Sequence, residues 1–190
     1  MNIIAIIYSD IERLYSIIGK QPPKNTLGII LSSFSPRILP VLLLRLTLAS
    51  HHNNFLFLAK LFSLINFTVF GLEVGGQCKI GSGLFLPHTQ GTIIGAERIG
   101  KNATIHQQVT IGAKEADIAF SNDQRPVIGN NVMIGSGAKM LGGVTIGNNV
   151  KIGANAVVLS SFPDNVSIAG VPARIIKHTA NHSNSNPLEK

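Results

Sequence analysis

The chain has 190 residues, with 16 Lys+Arg against 9 Asp+Glu and a formal net charge of +7. Only 13% of residues are charged, about half the usual share, so the positive balance reflects scarce acids. No basic tract is present, which disfavours a nucleic-acid partner. A single cysteine, Cys78, excludes a disulfide framework and any multi-cysteine metal site, and 45% apolar content is enough to build a core.

Residues 1–70 read as an apolar helical region broken by turns. One segment covers 2–18, with Asp10 and Glu12 in its middle. The run QPPKN at 21–25 breaks it, because proline fixes its own φ and restricts the residue before it. Ser35-Pro36 starts a second segment, ILPVLLLRLTLAS, and a polar interruption at 51–54 precedes a third, at 55–70. Arg45, Lys60 and Asn66 interrupt these segments, and each falls short of the roughly 20 apolar residues of a membrane span. The start of the chain has no positive n-region and its apolar stretch runs into Asp10 and Glu12, so it does not read as a signal peptide. A cytoplasmic protein is expected, its apolar helices buried against the next domain or another subunit, or touching the inner face of a membrane. His51 and His52 have no metal-ligand company and read as solvated, and Cys78 reads as a small apolar filler.

Composition shifts near residue 70. Seventeen of the 19 glycines lie between Gly71 and Gly170. From Ile128 the chain reads IGNNVM, IGSGAK, MLGGVT, IGNNVK, IGANAV, with a large aliphatic residue every sixth position at Ile128, Ile134, Met140, Ile146, Ile152 and Val158. A smaller apolar residue follows four later, at Val132, Ala138, Val144, Val150 and Ala156. The register continues upstream through Val74, Ile80, Leu86, Ile94, Ile99, Ile105 and Ile111. A period of six fits neither a helix nor a simple strand. It fits short strands separated by sharp corners, each strand pairing with the coil above and below, with Gly or Asn supplying the unusual backbone angles. Within one strand Val132 and Ile134 point inward and Met133 outward. The interval from Ile94 to Ile99 is one residue short. That from Ile111 to Ile128 is eleven too long, so a loop at 113–126 must leave the coil, and solenoid insertions usually mark the functional face. GAERIGKN at 95–102 matches G-x-x-x-x-G-K, but Asn102 stands where Ser or Thr must ligate magnesium, and the repeat resumes at once.

The pattern resembles the hexapeptide-repeat acyltransferases, and within them the serine acetyltransferase group. The resemblance spans residues 71–176 and rests on LEVGGQCKIGSGLFLPHTQGTIIG, QQVTIG, IGSGAKMLGGVTIG and the ending IAGVPARII. The lead-in FTVFGLEVGG resembles the version attached to polysaccharide-biosynthesis loci. The resemblance implies a mainly β fold, a left-handed parallel β-helix with an N-terminal helical region; residues 177–190 read from their composition as a polar tail. The resemblance also implies acetyl-CoA as co-substrate, no metal, and a homotrimer that residues 1–70 can pair into a hexamer.

The resemblance further implies that His88 is a general base, taking the proton of an acceptor hydroxyl as that oxygen attacks the thioester. A hydroxyl is a weak nucleophile at neutral pH, and an imidazole suits the task. Glu73, fifteen residues earlier, stands where the family has an Asp paired with this histidine, fixing the ring and stabilising the imidazolium. Backbone N–H groups near Gly112 and Ala113 are candidates for the oxyanion. Ser136 and Ala154 are expected to present backbone groups to the pantetheine arm, and Lys151, Arg174 and Lys177 to meet the CoA phosphates. His106 and Gln107 are candidates for the acceptor pocket.

Two departures bear on the acceptor. Serine-using members carry an Asp before the catalytic histidine, where this chain has Pro87. They carry Arg-His before a proline in the loop, where this chain has Gln124 and Arg125 before Pro126. With the helical lead-in also shorter than theirs, the expected acceptor is a carbohydrate hydroxyl of a capsular or exopolysaccharide unit. Serine is the alternative, and a silent scaffold is the alternative from another class.

Overall fold

The computed structural model describes residues 3–116 and 120–178. Four helices come first: α1 (Ile3–Ile17), α2 (Thr26–Ser33), α3 (Leu39–His52) and α4 (Leu56–Phe70). Helix α2 has no counterpart in the sequence reading. Asn25 caps it, its side-chain oxygen accepting from Gly28 N at 3.0 Å. His51 and His52 form the last turn of α3 instead of an interruption. Gly71, at φ 61°, ends α4 in the left-handed conformation that spares a Cβ.

From there the chain winds into coils. The first holds β1 (Leu72–Val74) and β2 (Lys79–Ile80) and closes through Phe85, which bridges to Thr104. The second holds β3 (Thr92–Ile94), β4 (Arg98–Ile99) and β5 (Thr104–Ile105). The third holds β6 (Thr110–Gly112), β7 (Val127–Ile128) and β8 (Met133–Ile134). The fourth holds β9 (Lys139–Leu141), β10 (Thr145–Ile146) and β11 (Lys151–Ile152). The last runs through β12 (Val157–Val158) and Phe162 into β13 (Val166–Gly170), against which β14 (Ala173–His178) folds back antiparallel.

Every coil contributes to the same three parallel faces. Sheet A is β1-β3-β6-β9-β12, sheet B is β10-β7-β4-β2, and sheet C is β13-β11-β8-β5 with β14 outside β13. The fold is a left-handed parallel β-helix with an N-terminal helical region. Its axis is filled by the hexad side chains: Ile134, Ile152 and Val158 have no exposure, and Ile128, Met140 and Ile146 have 1%. Met133, between two of them, points out and is 39% exposed.

The corners explain why Asn and Gly recur. Along the edge between sheets B and C, Asn102, Asn131, Asn149 and Asn165 all have φ between 55° and 60°. Their amides form a ladder: Asn102 Nδ2 donates to Asn131 Oδ1 (3.1 Å), Asn131 to Asn149 (3.0 Å) and Asn149 to Asn165 (2.9 Å). Asn tolerates the left-handed region because its short polar arm bonds locally. The apparent phosphate-loop match lies on this edge, where Lys101 N donates to Asn130 Oδ1 at 2.8 Å.

A buried ion pair, Asp10–Arg45, joins α1 to α3 and hydrogen-bonds both helices to the first coil of the β-helix. Arg45 Nε donates to Asp10 Oδ2 at 2.8 Å and Nη2 to Oδ1 at 3.0 Å. The same guanidinium donates to the carbonyls of Ile80 (2.7 Å) and Gly81 (2.6 Å), and Asp10 Oδ1 accepts from Leu84 N at 2.8 Å. Val41 and Leu44 of α3 pack into the β-helix core. The outer face of α4 stays apolar and open, with Phe57 78%, Leu64 62% and Phe67 59% exposed. Among the described residues no helix is long and apolar enough to cross a membrane. Lys177 and His178, read as the start of a tail, belong to β14, and 179–190 lie outside the described residues.

Candidate active site

His88 owes its position to an irregularity the hexad count passed over. Leu86 and Ile94 are eight positions apart, not six. The two extra residues push the corner outward while its ends stay fixed: Leu86 and Thr92 are fully buried, Thr89 Oγ1 donates to Phe70 O at 2.8 Å, and Thr92 N donates to Thr89 O at 3.0 Å. The His88 side chain is left exposed on a rigid turn.

That turn forms one wall of a cleft of about 600 Å³. The other walls come from α1, through Leu14, Tyr15 and Ile18, and from the α2–α3 junction, through Ser32, Ser35, Pro36 and Arg37. Tyr15 and Ser32 share a hydrogen bond of 2.9 Å between their hydroxyls. The Asp10–Arg45 pair holds these walls in place, since it ties α1 and α3 to the coil that leads into His88. Burial pushes the Asp10 carboxyl above its ordinary value, and the bonds from Arg45 pull it back. Tyr15, Ser32 and Arg37 were not legible as site residues, because no local pattern links them to position 88.

The edge between sheets C and A collects four of the remaining candidates. Below the His88 corner, successive coils place His106 and Gln107, then Ser136, then Ala154. Corner bonds stack them: Gln108 N to Gln90 O (3.0 Å), Gly137 N to Gln107 O (3.0 Å) and Asn155 N to Ser136 O (2.8 Å). The N–H groups of Gln107, Ser136 and Ala154 have no partner among the described residues, and Gln107 Oε1 is buried without one. A line of unspent donors along one edge suits an extended amide-bearing arm such as pantetheine. Lys151 lies on the adjoining sheet C, where it pairs in register with Ser167, which in turn pairs with Lys177. Arg174 sits on the same outer strand, opposite Ala169.

Other candidates lie elsewhere. Glu73 points outward from β1 into a separate cleft of about 620 Å³, shared with His51, Lys60 and Phe67. Among the described residues no hydrogen bond or ion pair joins it to His88. The inserted loop leaves at Gly112 and Ala113 and returns along the edge between sheets A and B. There the Phe120 ring lies on Gly75, and Arg125 stacks 3.8 Å from the centre of that ring while donating to Gly95 O at 3.0 Å. Gln124 is exposed beside Asp123, to which its Nε2 donates at 3.4 Å. Within one chain, Gln124 and Arg125 are therefore a full sheet away from His88. Among the described residues no group of His, Cys, Asp and Glu side chains could hold a metal.

Comparison with known proteins bears on the fold and the family. The bacterial transferase hexapeptide family (six repeats) matches residues 125–160. A serine acetyltransferase of Helicobacter pylori strain J99 is 39% identical over 142 residues, covering 74% of this chain and 81% of the relative. The crystal structure of Neisseria gonorrhoeae serine acetyltransferase superposes with a TM-score of 0.78 at 27% identity, over 94% of this chain and 66% of that one. A serine acetyltransferase in complex with CoA superposes at 0.73 with 29% identity, over 92% and 69% of the two chains. The chain thus spans about two thirds of the solved chains it matches.

These findings overturn the carbohydrate acceptor. The relatives are serine acetyltransferases, and the superposition extends over the helical region whose length had pointed away from them. Pro87, Gln124 and Arg125 are local changes in corners and a loop, and such changes re-set contacts without changing the family of the scaffold.

Proposed function

The chain belongs to the serine acetyltransferase family of hexapeptide-repeat transferases, and from that membership we propose that it moves the acetyl group of acetyl-CoA to the hydroxyl of serine. The observation that carries this reading is the 39% identity to a serine acetyltransferase over most of both chains. Acetyl-CoA is the acyl donor, in keeping with the relative solved with CoA.

In the proposed reaction His88 takes the proton of the serine hydroxyl as that oxygen attacks the thioester carbonyl. The tetrahedral intermediate collapses, the C–S bond breaks, and the imidazolium returns its proton to the departing thiolate. O-acetylserine and CoA are the products. The unspent N–H groups of Ser136 and Ala154 support a pantetheine arm along the C–A edge, with Lys151, Arg174 and Lys177 toward its phosphates. Glu73 is the candidate carboxylate for the imidazolium, and the N–H groups near Gly112 and Ala113 are candidates for the oxyanion. Because the C–A edge and the described ends of the loop, at Gly112 and at Arg125, lie on opposite sides of sheet A, a homotrimer that sets one copy's loop edge against another's C–A edge would complete the site. The apolar outer face of α4 supports further burial, against a second trimer or a membrane surface.

The test is thiol release from acetyl-CoA with L-serine, wild type beside His88→Ala. Loss of a general base is expected to cost about 10²–10⁴ in kcat. No turnover of serine by the wild type, with acetyl-CoA still bound, would overturn the acceptor. Turnover unaffected by the substitution would remove His88 from the chemistry.

A further inference from the structure

We propose that Arg37 holds the carboxylate of the acceptor inside the His88 cleft, a role open to it because Arg125, on whichever copy's loop edge meets that cleft, is held by Phe120 and Gly95 O. The inference rests on the serine reading above and adds the residue that orients the substrate.

Arg37 sits at the α2–α3 junction on a firmly fixed backbone. Ser35 O accepts from both Ile38 N (3.0 Å) and Leu39 N (2.9 Å), and the next side chain, Ile38, is 2% exposed. The guanidinium therefore starts from a fixed point and reaches the same cleft as His88. Arg37 and His88 are the two basic side chains of that lining, and no carboxylate is among its residues. Arg37 makes no ion pair among the described residues, so its planar fork of donors is available for a carboxylate of the right geometry.

The polar groups around it are mostly committed. Tyr15 and Ser32 bond each other, and Thr89 bonds Phe70 O. Ser35 Oγ is buried without a partner among the described residues. Arg125, by contrast, lies over Phe120 and donates to Gly95 O on the A–B edge. A small hydroxy acid anchored by its carboxylate on Arg37 would be held in the cleft that His88 also lines, which converts a bimolecular encounter into a positioned one.

The experiment compares kcat/KM for L-serine and for L-serine methyl ester, which keeps the hydroxyl and loses the carboxylate charge. Wild type, Arg37→Met, Arg37→Lys and Arg125→Met are measured side by side. The ratio of serine to ester is expected to fall about tenfold to a hundredfold in Arg37→Met, the range for losing charge-assisted hydrogen bonds. Arg37→Lys should recover part of it, with the change mainly in the KM for serine. A ratio that stays at the wild-type value in Arg37→Met overturns the assignment, as does a fall seen in Arg125→Met instead. Wild type inactive on serine overturns the acceptor reading itself, and this inference with it.

Discussion

Between Ile3 and Phe70 most side chains stay at least partly exposed, and the region docks on the rest of the molecule through the Asp10–Arg45 pair with its bonds to Ile80, Gly81 and Leu84 and through a few apolar contacts such as Val41 and Leu44, whereas from Leu72 onward each coil repeats one buried seam and one set of corner bonds. The helical region concentrates its specificity at Asp10 and Arg45, 35 positions apart, and leaves α4 open to whatever covers it. The β-helix spreads its specificity over many equivalent contacts, none of which is decisive. Loss of a single side chain should therefore be felt very differently in the two regions.

The largest effect is expected from Asp10→Ala. It leaves Arg45 buried without its counter-charge, which costs about 3–5 kcal/mol. Urea unfolding followed by circular dichroism should show the helical signal lost ahead of the β-helix. Arg45→Met added to Asp10→Ala should restore part of the stability. If the two signals melt together in Asp10→Ala, the regions form one cooperative unit and the contrast fails.

Cys78 sharpens the same contrast from underneath. It is 4% exposed, packs in the β-helix core, and lines a cleft with Arg45 and Leu48 of α3. Burial pushes its thiol from the ordinary 9.0 up to about 12. Below 9.0 both folded and unfolded chains keep the proton, and stability does not depend on this group. Between 9.0 and about 12 the unfolded chain ionises while the native one does not, so stability falls as pH rises. Cys78→Ala should flatten that alkaline slope in thermal melts. Iodoacetamide should label Cys78 slowly in the wild type and faster in Asp10→Ala, as the helices lift.

A smaller effect is expected in the repeat. Asn149→Ala removes two rungs of the amide ladder and places an ordinary side chain at φ 56°, for a loss of about 1–2 kcal/mol. Asn149→Gly loses the same rungs without the backbone penalty and should cost less. Equal losses would mean that the ladder alone matters, and chevron or equilibrium urea curves distinguish the two.

This division also decides what could be read from the chain. The seam at Ile128, Ile134 and Met140 was legible because each coil restates it in adjacent sequence. So was the loop, as an excess in a regular count. The eight-residue interval at His88 was passed over because apolar residues at both ends kept the register plausible. Helix α2 hid between two proline-containing turns. Tyr15, Ser32 and Arg37 reach the cleft through the docking of α1 and the α2–α3 junction, by the Asp10–Arg45 pair and by the packing of Leu14 and Ile38 with Phe85, and contacts so far apart in the chain have no period to announce them. Pro87, Gln124 and Arg125 were read as evidence about the acceptor, yet the last two lie on another edge of the chain, which spacing alone does not reveal.

A solenoid has a problem at its ends: the first coil has no coil before it, and bare strand groups there invite another chain to add on. β2 is the outer strand of sheet B, and the peptide groups just around it are the ones Arg45 and Asp10 engage, at Ile80 O, Gly81 O and Leu84 N. Two charged side chains thereby act as a stopper, occupying polar groups that would otherwise template edge-to-edge stacking. Variants that free Arg45 should accordingly lose solubility as well as stability, forming longer assemblies through the exposed end.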